Sequence, residues 1–94
     1  MANQTNVIGA MTIEDILKHD LKFRYMLLSR LQSDCEYYLN YGGRNPNRLW
    51  AGDEAHQIEY ITRLYDSFKD EEKPMWLTMN KIMEYRREMM ETKR

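Results

Sequence analysis

The residues best equipped for chemistry in this chain crowd into one stretch, Tyr37 to Asp53, which reads YYLNYGGRNPNRLWAGD. Arg44 and Arg48 carry planar guanidinium groups that match a carboxylate or a phosphate, and a turn places them near solvent. Tyr37, Tyr38, Tyr41 and Trp50 add flat faces for stacking. The Gly42-Gly43 pair and the Asn45-Pro46 step end a helix and force a turn. A plain connector, however, needs neither two arginines nor this many aromatics. On the helix leading into the turn, Met26, Arg30 and Tyr37 fall within about 40° of one another on a helical wheel, with Tyr41 beside them. Arg, Tyr, Trp and Met are the residue types enriched at interface centres, because they bury large areas, stack and donate hydrogen bonds. The candidate partner-binding residues are therefore Arg30, Tyr37, Tyr41, Arg44 and Arg48, with Trp50 and Asp53 anchoring the loop. The competing reading is that Tyr37 and Tyr41 simply pack beneath the loop.

Catalysis and metal binding need converging groups, and these are scarce. His19 reads as basic-helix surface or a fourth-turn partner of Asp15, and His56 falls opposite the apolar face of its helix, so both are expected in solvent. One cysteine and two scattered histidines provide neither a Cys-x-x-Cys pair nor a His-Glu-x-x-His helix. Gly42-Gly43-Arg44 lacks the preceding strand and the following Lys-Ser/Thr of a phosphate-binding loop. Cys35 sits in an apolar stripe, where burial raises a thiol's pKa and leaves it inert. No enzymatic activity, metal or cofactor is expected.

The elements that must hold these residues are helical, since apolar positions recur with a period near 3.6 and almost never alternate. The expected fold is all-α, a small single domain of three to four helices. A first helix starts at Thr12, with Asp15 as its capping-box partner, and runs to about His19, close enough to the next helix to merge with it. In the second, Leu27, Leu28, Leu31, Cys35, Tyr38 and Leu39 lie within about 120° and face the core, and Gly42 and Gly43 stop it. Asp53 caps the third helix, with Glu54 in its first turn, and Ile58, Ile61, Leu64, Tyr65 and Phe68 form its buried face. The run Asp70-Glu71-Glu72 and then Pro74 break the pattern. Pro74 to Leu77 pack as an irregular arm, and Thr78 caps a fourth helix carrying Met79, Ile82, Met83, Met89 and Met90; the helical spacing of these methionines favours core filling over the alternative of a partner surface.

Ninety-four residues suit one domain, and residues 1–11, without a basic start or a continuous apolar stretch, read as a flexible leader to a helical domain over 12–94. No apolar run reaches the roughly 20 residues of a membrane span. A single cysteine gives no internal disulfide and agrees with a reducing, cytoplasmic setting. The net charge of −1 hides a segregation: residues 18–30 sum to +3, residues 53–72 to −5 and residues 73–94 to +3. A pI near 6.1 lies far below the value above about 9 usual for a stand-alone nucleic-acid-binding domain. Nucleic acid is thus a secondary candidate behind a protein partner, and pairing of two copies stays open.

Three segments carry a resemblance: Leu28 through Pro46 (LSRLQSDCEYYLNYGGRNP), Leu49 through Asp53 (LWAGD) and Lys73 through Met79 (KPMWLTM). Together they resemble the eleventh of the large polyvalent protein-associated domain families, over roughly residues 25–86. That resemblance implies a setting on bacterial mobile elements or phages, where small stand-alone proteins often neutralise host defences. It therefore implies a non-enzymatic, protein-binding inhibitor of a host defence nuclease, of the anti-CRISPR kind. The acidic third helix is compatible with docking into a positively charged groove. The alternative is a helical accessory module that binds DNA or a conjugation or replication protein.

Overall fold

The computed structural model describes residues 12–91. The leader expected over 1–11 lies outside the described residues, as do residues 92–94. Four α-helices follow one another: α1 (Ile13–Leu17), α2 (Leu21–Asn40), α3 (Glu54–Asp66) and α4 (Met79–Arg86). Single 3-10 turns stand at Pro46–Arg48 and Asp70–Glu72, and a π-helical turn, Arg87–Glu91, extends α4. No strand occurs among the described residues, so the fold is all-α as the periodicity requires.

Each helix begins where a short polar side chain can accept from an otherwise unpaired N–H. Thr12 Oγ1 accepts from the Asp15 amide at 3.1 Å, and Asp15 returns the bond to the Thr12 N–H. Asp20 caps α2 through the Phe23 amide at 2.9 Å, Asp53 caps α3 through the His56 amide at 2.8 Å, and Thr78 caps α4 through the Lys81 amide at 3.1 Å. Asp20 is also why α1 stops at Leu17 instead of running to His19 and merging with α2: its extended backbone starts a separate helix. The helix ends are closed with equal care. Arg24 donates to the hydroxyl and carbonyl oxygens of Ser67 at the C-terminus of α3, and Lys73 Nζ donates to the Phe68 carbonyl at 2.6 Å, placing cations where the helix dipole is negative.

Helix α3 is the hub, packing against α1, α2 and α4. The expected stripes of α2 and α3 are its core. Leu28, Leu31, Cys35, Ile61 and Leu64 are fully buried, Tyr38, Ile58, Tyr65 and Phe68 nearly so, and Leu39 packs partly against them. In the C-terminal segment Ile82 and Met89 are buried, with Met79 and Met90 packed alongside. Met83 is a correction: it is 44% exposed, because Ile82, Tyr85 and Met89, spaced at three and four residues, set the inward line and Met83 falls beside it. The arm before α4 divides in the same way, with Leu77 buried and Trp76 and Met75 outside. The arm is held by Gln32 Nε2, which donates to the Trp76 carbonyl at 3.2 Å.

Candidate interaction surface

The outward stripe of α2 emerges as the periodicity predicts. Met26 is 63% exposed, Tyr37 42% and Tyr41 80%, and Arg30 stands in solvent on the same side. From Met26 to the C-cap Tyr41 there are fifteen steps of 1.5 Å, so they form a ridge roughly 22 Å long on the longest helix among the described residues. Tyr41 marks the end of that helix. Its N–H and that of Gly42 both donate to the Tyr37 carbonyl, and the Arg44 N–H donates to the Tyr38 carbonyl at 3.2 Å. The reversal uses left-handed backbone at Gly43 (φ +64°) and also at Arg44 (φ +58°). Gly42 is not left-handed; its role is closeness, since a Cβ there would lie 3.1 Å from the Tyr37 ring. Tyr37 therefore rests on the loop with one part of its ring and meets solvent with the rest.

Arg44 and Arg48 do not share one environment. Arg48 is exposed and its guanidinium sits 5.5 Å from the centroid of Tyr37, at the edge of the α2 stripe. Arg44, expected near solvent, is half-buried. Its Nη2 donates to the Glu88 carbonyl at 2.7 Å and its guanidinium lies 5.8 Å from the Tyr38 ring centroid. A backbone carbonyl of the π-helical turn thereby accepts from a cation. That tether explains why a non-glycine residue tolerates positive φ here, and it makes Arg44 a clasp between the loop and the end of α4. Arg30 keeps one side of its guanidinium on Asp34, Nε to Oδ1 at 3.1 Å.

The loop is anchored by more than Trp50 and Asp53. Asn45 Oδ1 accepts from the Asn47 amide, opening the 3-10 turn in which Pro46 supplies the first residue. Leu49 then plunges into the core. The half-buried Trp50 ring packs against the core 6.3 Å from Tyr60, and its amide donates to Asp34 Oδ2 at 2.8 Å. The next amide, Ala51, donates to Gln57 Oε1 at 3.0 Å, while Gln57 Nε2 donates to the Leu31 carbonyl at 3.1 Å. Asp34 and Gln57 are the buried polar residues the sequence reading missed. The signal was present: each is a polar side chain at an apolar register position, Asp34 four residues before Tyr38 and Gln57 four before Ile61.

Beside this loop lies a cleft of about 430 Å³ lined by Tyr38, Arg44, Asp53, Glu54, His56 and Met89, among others. Four of its polar groups are paired with one another. The Tyr38 hydroxyl donates to Glu54, and His56 Nδ1 lies 2.8 Å from Asp53 Oδ2. His56 is exposed, as expected, and His19 stacks on Phe23 with ring centroids 4.0 Å apart. Cys35 is buried, and removal from water pushes its thiol up to about 12. Among the described residues no group of three or more His, Cys, Asp and Glu side chains is placed to hold a metal ion, and no helix is long and apolar enough to cross a membrane.

The Asp53–His56 pair has a defined pH response. Hydrogen bonds from the His56 amide and ring hold the Asp53 carboxyl below its ordinary value, and the Asp53 carboxylate holds the His56 ring above its own. The raised His56 contributes stability that is complete below about pH 6.5 and fades as pH rises through its folded pKa. The depressed Asp53 contributes stability that is present above about pH 3.9 and fades as pH falls through its folded pKa. The melting temperature of His56→Ala should therefore fall below that of the parent at pH 5 to 6 and converge with it by about pH 9. A gap that widens at high pH would contradict the pairing.

Fold and surface together define a small helical domain that displays interface-type side chains along α2 and the loop that follows it. The chain belongs to the large polyvalent protein-associated domain 11 family, whose sequence profile matches residues 21–89. The match begins at the first residue of α2 and ends inside the π-helical turn, so it contains the stripe, the loop and both later helices and leaves α1 outside. Comparison with curated proteins found no match, and comparison with solved structures found none.

Proposed function

We propose that the protein is a non-enzymatic, protein-binding inhibitor that belongs to a mobile genetic element or phage and acts in the cytoplasm on a host defence nuclease of the CRISPR-associated kind. The observation that carries this reading is the α2 stripe: Met26, Arg30, Tyr37 and Tyr41, with Arg48 at its edge, are interface-type residues held outward on a rigid helix. A helix stiffened by the core on its other side presents such residues at low entropic cost. Arg44 is withdrawn from the contact set, because its guanidinium is engaged within the chain. Membership of the polyvalent protein-associated family is in keeping with the mobile-element setting of this reading.

The test is inhibition and capture of purified CRISPR-associated nucleases by the parent and by the double variant Tyr37→Ala with Tyr41→Ala. Loss of a central aromatic anchor costs about 2 kcal/mol or more, so affinity should fall at least roughly thirtyfold while melting stays near the parent's. Arg44→Ala should act through stability instead. Unchanged inhibition by a normally folded double variant would remove the stripe from the interface. Salt-sensitive binding of free duplex DNA in place of protein capture would favour an accessory DNA-binding module.

A further inference from the structure

Along the outer side of α2 runs an open groove of about 380 Å³ bounded by Gln32, Ser33, Glu36, Tyr37 and Tyr41. From it we infer a binding site for one cationic side chain, a lysine or arginine of the partner protein; this rests on the protein-binding reading above and adds the chemistry of the contact.

The groove has one acidic lining residue, and it is already fixed in place. Glu36 accepts from the Tyr85 hydroxyl through Oε2 and from Asn40 Nδ2 through Oε1 at 3.3 Å. A carboxylate has about four lone-pair positions, so these two bonds orient it and leave room for a newcomer. The walls are the rings of Tyr37 and Tyr41, tilted at 35° with centroids 6.1 Å apart. A tyrosine face is electronegative and draws a cation within about 6 Å of its centre. An anionic side chain entering here would meet Glu36, and a purely apolar one would strand that carboxylate away from water, so the charge complement of the groove is a cation.

The chain uses this recognition within its own fold. Arg24 lies over Phe68, Arg44 over Tyr38, Arg48 over Tyr37, Lys73 over Tyr65 and Lys81 over Tyr85, at 5.1 to 5.8 Å from the ring centroids. Tyr41, 80% exposed, has no such cation of its own among the described residues. A guanidinium or ammonium group from a partner would give it the companion that its neighbours find internally.

The experiment titrates two short peptides into isotope-labelled full-length protein and follows the ring resonances of Tyr37 and Tyr41. One peptide holds a single arginine flanked by glycines; the other replaces the arginine with citrulline, which keeps the shape and removes the charge. The arginine peptide should shift both rings in a saturable way and bind about threefold or more tighter than the citrulline peptide. Glu36→Gln, which still accepts from Tyr85, should weaken arginine binding. Tyr41→Phe should preserve it, and Tyr41→Leu, still apolar but without a π face, should lose it. Equal response to the two peptides, shifts confined to the acidic Asp70–Glu72 turn, or equal binding by Tyr41→Leu and Tyr41→Phe would overturn the inference. Nuclease capture separates the two levels. If the peptide results fail while Tyr37→Ala with Tyr41→Ala still abolishes capture, the protein-binding reading stands without the cation site. If the peptide results hold while capture is unaffected by that pair, the site stands and the stripe is not the nuclease interface.

Discussion

Leu31→Ala is expected to lower the unfolding free energy by about 2 to 5 kcal/mol, out of a total of about 5 to 10 kcal/mol for a domain of this size. Leu31 is fully buried in the α2 stripe, and its carbonyl receives Gln57 from α3, so the deleted atoms leave a void at the contact between the two central helices. Each kcal/mol corresponds to about 4 to 8 °C of melting temperature in a chain this short, and the loss should be visible in both denaturant and thermal unfolding. Met83→Ala, at an exposed position of α4, serves as the control and should move the midpoint hardly at all. Equal midpoints for the two variants would mean that the α2 stripe is not the core.

The second large effect is expected at Gln57. In Gln57→Leu the volume is nearly kept, but the Ala51 N–H loses its acceptor and the Leu31 carbonyl loses a donor. A buried amide without a partner costs about 1 to 3 kcal/mol, so stability should fall by about that much. Unlike Leu31→Ala, this change also releases the backbone next to Trp50, where Asp34 holds the neighbouring amide. Partner capture should therefore drop by more than the fraction unfolded explains, measured under conditions where both variants remain folded. A Gln57→Leu protein as stable as the parent would show that water satisfies the Ala51 amide and that the loop is not braced from α3.

How much of this could be read in advance depended on how local the determinant was. The caps Thr12, Asp53 and Thr78 and the stripes of α2 and α3 follow from residue type and spacing within one or two helical turns, and the structure has them where the sequence puts them. The surface stripe Met26, Arg30, Tyr37 and Tyr41 was legible for the same reason, as the complement of the core face. Arg44 was not, because its fate depends on the backbone carbonyl of Glu88, forty-four positions away. The Asp34 and Gln57 brace was hidden because its partners, the Trp50 and Ala51 amides and the Leu31 carbonyl, come from other elements of the fold. Met83 was misplaced because its helical spacing fits a position beside the inward line as well as on it, and Tyr85 fills that line.

The two sides of α2 have a consequence for the protein's history. Leu27, Leu31, Cys35 and Tyr38 on one side carry the fold, while Met26, Ser33 and Tyr41 on the other sit outside the core that α2 builds with α3 and its neighbours. Substitutions on the outer side are thus nearly free of stability cost, whereas the inner side tolerates few. The outward letters of α2 can in this way be rewritten on an unchanged helix, since the demands of folding hardly reach them.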